Sequence, residues 1–225
     1  MASFRTHISF GIALGVLSAI GIASLALVPA EWSYLVLVGL MVTIGALMPD
    51  IDSDSGIPFH VTFGSLALVA GGLGALYAYT AWPGNYWLLL GVPVAAIFIV
   101  WGVIGVIFKK FTRHRGMAHS IPAAILAGLI TFSVTTYLGF ADWQAFLLGL
   151  ALTAGYILHL ILDEVWAGMN FHGQLFVPNK AFGSALKLVS HDHRLTVITY
   201  LAIAGMISLN SSELYQLTRQ LLVIF

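Results

Sequence analysis

The run Gly155-Tyr156-Ile157-Leu158-His159-Leu160-Ile161-Leu162-Asp163 sets an imidazole and a carboxylate four positions apart in an otherwise apolar stretch. On a helix that spacing puts both groups on one face, one turn apart. Two such groups can reach one cation, or the carboxylate can orient the imidazole from behind; the plain alternative is a hydrogen bond between them at a helix end. A second set, Pro49-Asp50-Ile51-Asp52-Ser53-Asp54, gathers three carboxylates within five residues. Beside a low-dielectric boundary they repel one another unless a cation neutralises them, whereas in water they form an ordinary acidic turn. A calcium loop of the EF-hand kind is rejected, because Ser55 stands at its glycine position and Val61 at its glutamate position.

A third set, Arg113-His114-Arg115-Gly116-Met117-Ala118-His119-Ser120, runs into an apolar stretch. Neutral His114 and His119 could ligate a metal, while Arg115 and the free backbone donors of the following helix start could hold a phosphate. Gly116 would let the turn approach a ligand closely. Ordinary basic charge at a membrane boundary accounts for the cations here but poorly for two histidines. His7 stands at the start of the first apolar run, where a lone histidine is more often interfacial packing than a ligand. His60 follows the acidic set by six residues and is a further candidate, and His191-Asp192-His193-Arg194 either completes the site or forms a solvated turn. His172 has no partner in sequence and reads as structural.

The elements that must position these groups are membrane helices. The chain has 225 residues, 60% hydrophobic and only 8% charged, with 23 glycines and a mean hydropathy of +0.97. A soluble domain carries roughly a quarter charged residues. Nine basic and nine acidic residues leave no broad basic surface, so no nucleic-acid partner is expected. With no cysteine, disulfides and thiolate ligands are excluded, and any metal must be held by histidine, carboxylate or carbonyl groups. A spanning helix needs roughly 20 mostly apolar residues. Candidate spans run from Ile8 to Val28, Tyr34 to Met48, Val61 to Ala81, Tyr86 to Phe108, Met117 to Leu138, Trp143 to Leu162 and Leu195 to Leu209, the second and last being short. Leu214 to Phe225 predicts an interfacial or packed terminal helix. The expected fold is all-α, a polytopic transmembrane helical bundle of about six to seven spans with an additional short C-terminal helix. Residues 1–225 form one integral membrane domain in this reading, with metal-site loops at 49–60, 109–120 and 163–194.

The amino end imitates a signal peptide, with Arg5 before an apolar run and Val28-Pro29-Ala30 after it. The run exceeds the roughly 7–15 residues of a signal core, so it is read as a retained first span. Alternating the spans sends Arg5, Lys109, Lys110, Arg113, Arg115, Lys180, Lys187 and Arg194 to one side, and Glu31, Asp142 and Glu213 to the other. The basic side is cytoplasmic by the positive-inside rule. The same alternation brings His7, Asp50 to Asp54, His114, His119, His159 and Asp163 to that cytoplasmic side, although charge alone did not require it.

Taken together, His7, the Pro-Asp-x-Asp loop, His114-Arg115-Gly116 with His119-Ser120, and His159 with Asp163 resemble the YdjM-like family of inner-membrane proteins, a family inferred to be metal-dependent hydrolases. The resemblance covers about residues 5–180 and extends to Gly168 and the Leu175 to Pro178 stretch. The chain departs from it at Glu164-Val165-Trp166, where many members carry threonine. It implies a bacterial inner-membrane location and a hydrolytic activity. More distantly, the His-x-x-x-Asp helix is similar to those of zinc-dependent phospholipases C and zinc nucleases, which implies a phosphoester substrate. Only His159 and Asp163 carry that spacing, since His114 is followed five residues later by His119.

His-Glu-x-x-His, Pro-Ser-Gly-His and Gly-x-Ser-x-Gly are all absent from the sequence, which favours metal-activated water over a serine nucleophile. The expected site takes one or more divalent cations, zinc first given the imidazoles and manganese second. His7, His114, His119, His159 and Asp163 are the expected ligands. Asp50 and Asp52 are further ligands, or one of them is the general base, and Arg115 neutralises charge in the transition state. Membrane lipid is both environment and candidate substrate. The competing expectation is a membrane protein without catalysis whose metal is structural or regulatory, or a transporter; a transporter, however, should carry its ionisable groups near the bilayer midplane.

Overall fold

The computed structural model describes residues 2–25, 31–52, 57–106, 116–168, 183 and 185–224. Helix is the dominant element, as the composition requires: α1 (Phe4–Leu25), α2 (Trp32–Gly45), a 3-10 turn (Met48–Asp52), α3 (Ile57–Ala81), α4 (Tyr86–Phe98) with a π-helical continuation (Ile99–Ile104), α5 (Ile121–Tyr137), α6 (Asp142–Gly168), α7 (His193–Leu209) and α8 (Ser211–Ile224). Among the described residues there is no strand beyond a single bridge between Ser120 and Lys187. Phe4–Ser24, Tyr86–Ile104 and Asp142–Gly168 are each long and apolar enough to cross a membrane. His193–Leu209 and Ser211–Arg219 make a fourth crossing if they are taken as one span bent by 64°, and Trp32–Gly45, Leu66–Ala81 and Ile121–Tyr137 are shorter apolar helices. The chain is therefore an all-α helical membrane protein.

Several helix boundaries differ from the sequence expectation, α2 ending at Gly45 and α3 starting at Ile57 among them, and two of the differences have a visible cause. The apolar run from Met117 becomes helical only at Ile121, because Ser120 is extended and caps α5 by accepting a hydrogen bond from Ala123 N. The other end of the pattern is longer than expected. α6 does not stop at Leu162 but continues past Asp163 to Gly168, since the carboxylate that looked like a helix stop is matched by partners from other segments.

By contacts the chain divides into two compact units, residues 1–49 with 115–225 and residues 50–114. In the larger unit α6 is the central element, packed against α1, α2 and α5, with α7 on α5 and α8 touching both α6 and α7. The close approaches rest on glycine. A Cβ on Gly155 would fall on the Val42 carbonyl, one on Gly45 would fall on that of Leu152, and Gly128 and Gly149 bring α5 and α6 together in the same way. In hydrocarbon there is no hydrophobic drive between helices, so backbone proximity and dispersion hold them. Tyr34, Val38, Val42, Leu148 and Ala151 fill the α2–α6 seam, and the Tyr34 hydroxyl donates to the Gln144 carbonyl at 2.9 Å. A second cluster joins Ala124, Tyr156, Leu160 and Ala185. In the smaller unit α3 and α4 pair through Gly64, which faces the Trp101 ring, and Gly71, which faces Ile97.

Candidate metal centre

Four of the predicted ligands, drawn from three separate stretches of sequence, meet at one end of the larger unit. His7 lies in the first turns of α1, His119 in the turn before α5, and His159 and Asp163 on α6. Their exposures are 1%, 1%, 0% and 4%, so the cluster is removed from solvent as fully as any apolar core residue. The His7 and His159 rings stack with centroids 3.7 Å apart and planes 12° from parallel. His119 meets His159 edge-on at 5.6 Å. Asp163 receives both stacked rings: Oδ1 is 3.3 Å from His7 Nε2 and Oδ2 is 3.8 Å from His159 Nε2. The backbone N–H of Ala2 also donates to Oδ1, at 3.0 Å.

Local backbone orients these rings. His159 Nδ1 lies 2.8 Å from the carbonyl of Ala46, the residue that caps the end of α2. A carbonyl only accepts, so Nδ1 carries a proton and donates, and Nε2 faces Asp163. Tyr156, one turn before His159, donates its hydroxyl to the Ala118 carbonyl and so fixes the turn that carries His119. That turn is closed by His119 N donating to the Gly116 carbonyl at 3.2 Å, and Ser120 Oγ donates to the Met117 carbonyl.

The donor set fits a divalent cation. One ligand atom each from His7, His159 and Asp163 lie within 4.8 Å of one another. Tetrahedral zinc, with bonds of about 2.0–2.1 Å, spaces its ligand atoms about 3.3 Å apart, the separation already present between His7 and Asp163. His7 Nδ1 is buried and makes no hydrogen bond among the described residues, a costly state for a polar atom. A hydrogen-bonded Nδ1–H on His159 is the usual outer support of a metal-ligating imidazole.

The remaining predicted residues are placed differently. Asp50 and Asp52 lie in the 3-10 turn Met48–Asp52, directly after buried Pro49. Asp50 opens the smaller unit. The side chain of Asp52, and all of Asp54, Arg113, His114, Arg115 and His172, lie outside the described residues. His60 is exposed, its ring 5.5 Å from those of Phe59 and Trp101. His191 and His193 are exposed, and Asp192 between them caps α7 by accepting from Arg194 N at 3.0 Å. This stretch is the solvated turn, one of the two expectations for it.

Sequence reasoning missed the Ala46 carbonyl and the Ala2 amide, which have no side-chain signature; the closeness of Ala2 to His7 was the one available hint. It also left Glu164 without a role. The Glu164 carboxylate accepts from the backbone N–H groups of Gly183 and Ala185, the latter at 3.2 Å. Ile121 N donates to the Lys187 carbonyl at 3.1 Å, so residues 185–187 are fastened to the ends of both α5 and α6. Glu164→Ala should therefore cost about 1–2 kcal/mol, at the lower end for hydrogen bonds to a charged group because Glu164 is only half-buried. Hydrogen exchange would check it: the Gly183 and Ala185 amides should lose protection while α6 keeps its own.

The fold and this cluster define a class: a helical membrane protein with a buried histidine–carboxylate group able to hold a metal ion at one end of its main helical unit. The chain belongs to the YdjM inner membrane protein family, whose model it matches over residues 1–225. No curated protein and no solved structure matches it.

Proposed function

We propose that this chain is a metal-dependent membrane hydrolase, its site facing the cytoplasm, that cleaves a phosphoester of a lipid or other amphiphile. The observation that carries the reading is the meeting of three imidazoles and one carboxylate, all buried, from residues 7, 119, 159 and 163. His7, His119, His159 and Asp163 hold the metal. Arg115 neutralises the developing phosphoryl charge. A bound divalent ion, zinc first and manganese second, supplies a water activated near neutral pH and polarises the ester.

Depth supports a substrate of the membrane boundary. From Trp143 to Asp163 α6 rises twenty residues, about 30 Å, which is about the thickness of the hydrocarbon core. Exposed Trp32 and Tyr137 stand at the ends of α2 and α5 away from the cluster, as interfacial aromatics do. The cluster then lies at the opposite boundary, within reach of a head group. The basic residues of the sequence support the cytoplasmic side for that boundary.

A second reading is favoured by one observation: all four side chains are closed off, as in structural metal sites, whereas catalytic sites keep an open position. In that case the ion fastens the ends of α1 and α6 and nothing is turned over. Purified, metal-loaded protein offered phospholipids and a chromogenic phosphodiester separates the two. Hydrolysis is expected in the wild type and its loss in Asp163→Ala, with helical content retained by circular dichroism. Undiminished hydrolysis in that variant sinks the assignment of Asp163, and absence of hydrolysis in the metal-loaded wild type sinks the enzyme.

A further inference from the structure

α7 ends at Leu209, and α8 leaves it at an angle of 64°. A buried amide holds the break: Asn210 Oδ1 accepts from Ser133 Oγ at 2.7 Å, and its Nδ2 donates to the Met206 carbonyl at 2.7 Å. Ser133 lies four residues before the end of α5 at Tyr137, so the break is at the end of the larger unit away from the metal cluster. The 17 residues of α7 rise about 25 Å, which nearly fills a hydrocarbon core of about 30 Å. The 14 residues of α8 measure about 21 Å and, turned by 64°, advance only about 9 Å further along the axis of α7. α8 therefore runs mostly sideways.

Three sectors run along it. Leu217 is buried, and Leu214 lines an apolar depression with Phe132 and Phe146, so one sector faces α5 and α6. Tyr215 and Leu222, seven positions apart and hence on one face, are 64% and 74% exposed. Thr218 beside them returns its hydroxyl to the Leu214 carbonyl at 2.8 Å, so it is satisfied without water. Ser212, Gln216 and Arg219 are exposed on the remaining sector, at steps of four and three residues. Where the two exposed sectors meet, the Arg219 guanidinium lies over the Tyr215 ring, 5.8 Å from its centroid. Exposed apolar and exposed polar sectors on one helix call for two solvents, and the membrane boundary supplies both.

We propose that α8 is an interfacial anchor at the membrane boundary away from the metal cluster, with Tyr215 and Leu222 in the acyl layer, Ser212 and Gln216 in water, and the Arg219 guanidinium on a phospholipid phosphate. The proposal goes beyond the hydrolase reading and does not rest on it. A guanidinium presents a planar fork of donors that matches a phosphate, and its long stem reaches from the apolar side to the head group. Exposed Trp32 and Tyr137 mark the same boundary, at the ends of α2 and α5. Because α8 also touches α6, its hold on this boundary sets the depth at which α6 presents Asp163 to the other.

The sequence has no cysteine, so single cysteines carry a nitroxide label without background. Leu222→Cys, Gln216→Cys and Leu201→Cys, the last exposed near the middle of α7, are labelled in the full chain and reconstituted in phosphatidylcholine vesicles. Power-saturation electron paramagnetic resonance then compares collisions with oxygen, which partitions into hydrocarbon, and with a water-soluble nickel chelate. The oxygen-to-nickel ratio should be highest at position 201, lower at 222 and several-fold lower again at 216. Arg219→Glu, which repels phosphate, should lower the ratio at 222 several-fold as the helix lifts, and Arg219→Lys should keep most of it. Equal ratios at 216 and 222, whether both read hydrocarbon or both read water, overturn the anchor, as does spin–spin broadening at 222 from a second copy packed on that face. An unchanged ratio in Arg219→Glu overturns the phosphate contact. Circular dichroism on each variant shows that its helices are intact.

Discussion

Alanine at both His159 and Asp163 is expected to lower divalent-metal affinity at least about 100-fold, since losing even the outer partners of metal ligands costs 10–100-fold. These two residues are the centre of the cluster. His159 stacks on His7, meets His119 edge-on and donates to Ala46, and Asp163 supplies the described carboxylate within 4 Å of both stacked rings. Removing them takes from the cluster one imidazole and the Asp163 carboxylate, whose charge would offset that of an ion. Divalent metal per chain, measured by mass spectrometry on detergent-purified protein after chelation and reloading, should be close to stoichiometric in the wild type and near background in the double variant. Circular dichroism on both samples separates loss of the site from loss of the fold. Equal metal in folded wild type and variant would place the binding elsewhere.

The second large effect concerns a residue with no chemistry of its own. Gly155→Ala should destabilise the chain by about 3 kcal/mol, toward the upper end for overpacking, because the added Cβ meets the Val42 carbonyl and the backbone there cannot step aside. Gly155 is one turn before His159, and Val42 one turn before Ala46, so separating α2 from α6 also pulls the Ala46 carbonyl from His159. Metal binding should weaken along with stability. The control is Gly21→Ala on α1, where a Cβ meets nothing within 4 Å; there the loss of glycine entropy should stabilise slightly, by about 0.5–1 kcal/mol. Unfolding followed in mixed micelles with increasing denaturing detergent measures both. A Gly155→Ala chain as stable as wild type would mean that the α2–α6 seam is looser than its geometry.

Much of this architecture was legible because hydropathy reports bilayer helices directly, and among the described residues each expected span overlaps a helix. The spacing of His159 and Asp163 was equally readable, since a single helical turn brings them to one face. What could not be read was which distant segment each would meet. His7 was placed with the site by its sidedness and by the family resemblance, not by any partner in sequence, and it proves to be the ring stacked on His159. Ala46 contributes through its carbonyl, and a backbone acceptor looks the same in every residue. Asp163 was taken as the end of its helix because a charge normally stops an apolar run. Here His7 and the Ala2 amide answer that charge, so α6 runs on and Glu164 is carried into position to clasp residues 183 and 185. The division at residues 49 and 115 falls at the acidic set Asp50 to Asp54 and the basic set Lys109 to Arg115, but a polar loop between apolar runs looks the same whether or not the chain divides there.

The bond from Ala2 to Asp163 joins positions 161 residues apart, and that separation is also an interval of time. At about 5–20 residues per second, α1 waits roughly 8–30 s in the membrane before α6 has been made. Throughout that wait the first turn of α1 carries a histidine at the bilayer boundary with no carboxylate to meet it, and α2 ends in a carbonyl with no imidazole to accept from. The cluster cannot form until α6 has been made, and a chain stalled before that holds His7 and Ala46 on helices that pack together through Gly15 and Gly39 but lack the imidazole and the carboxylate that complete the site.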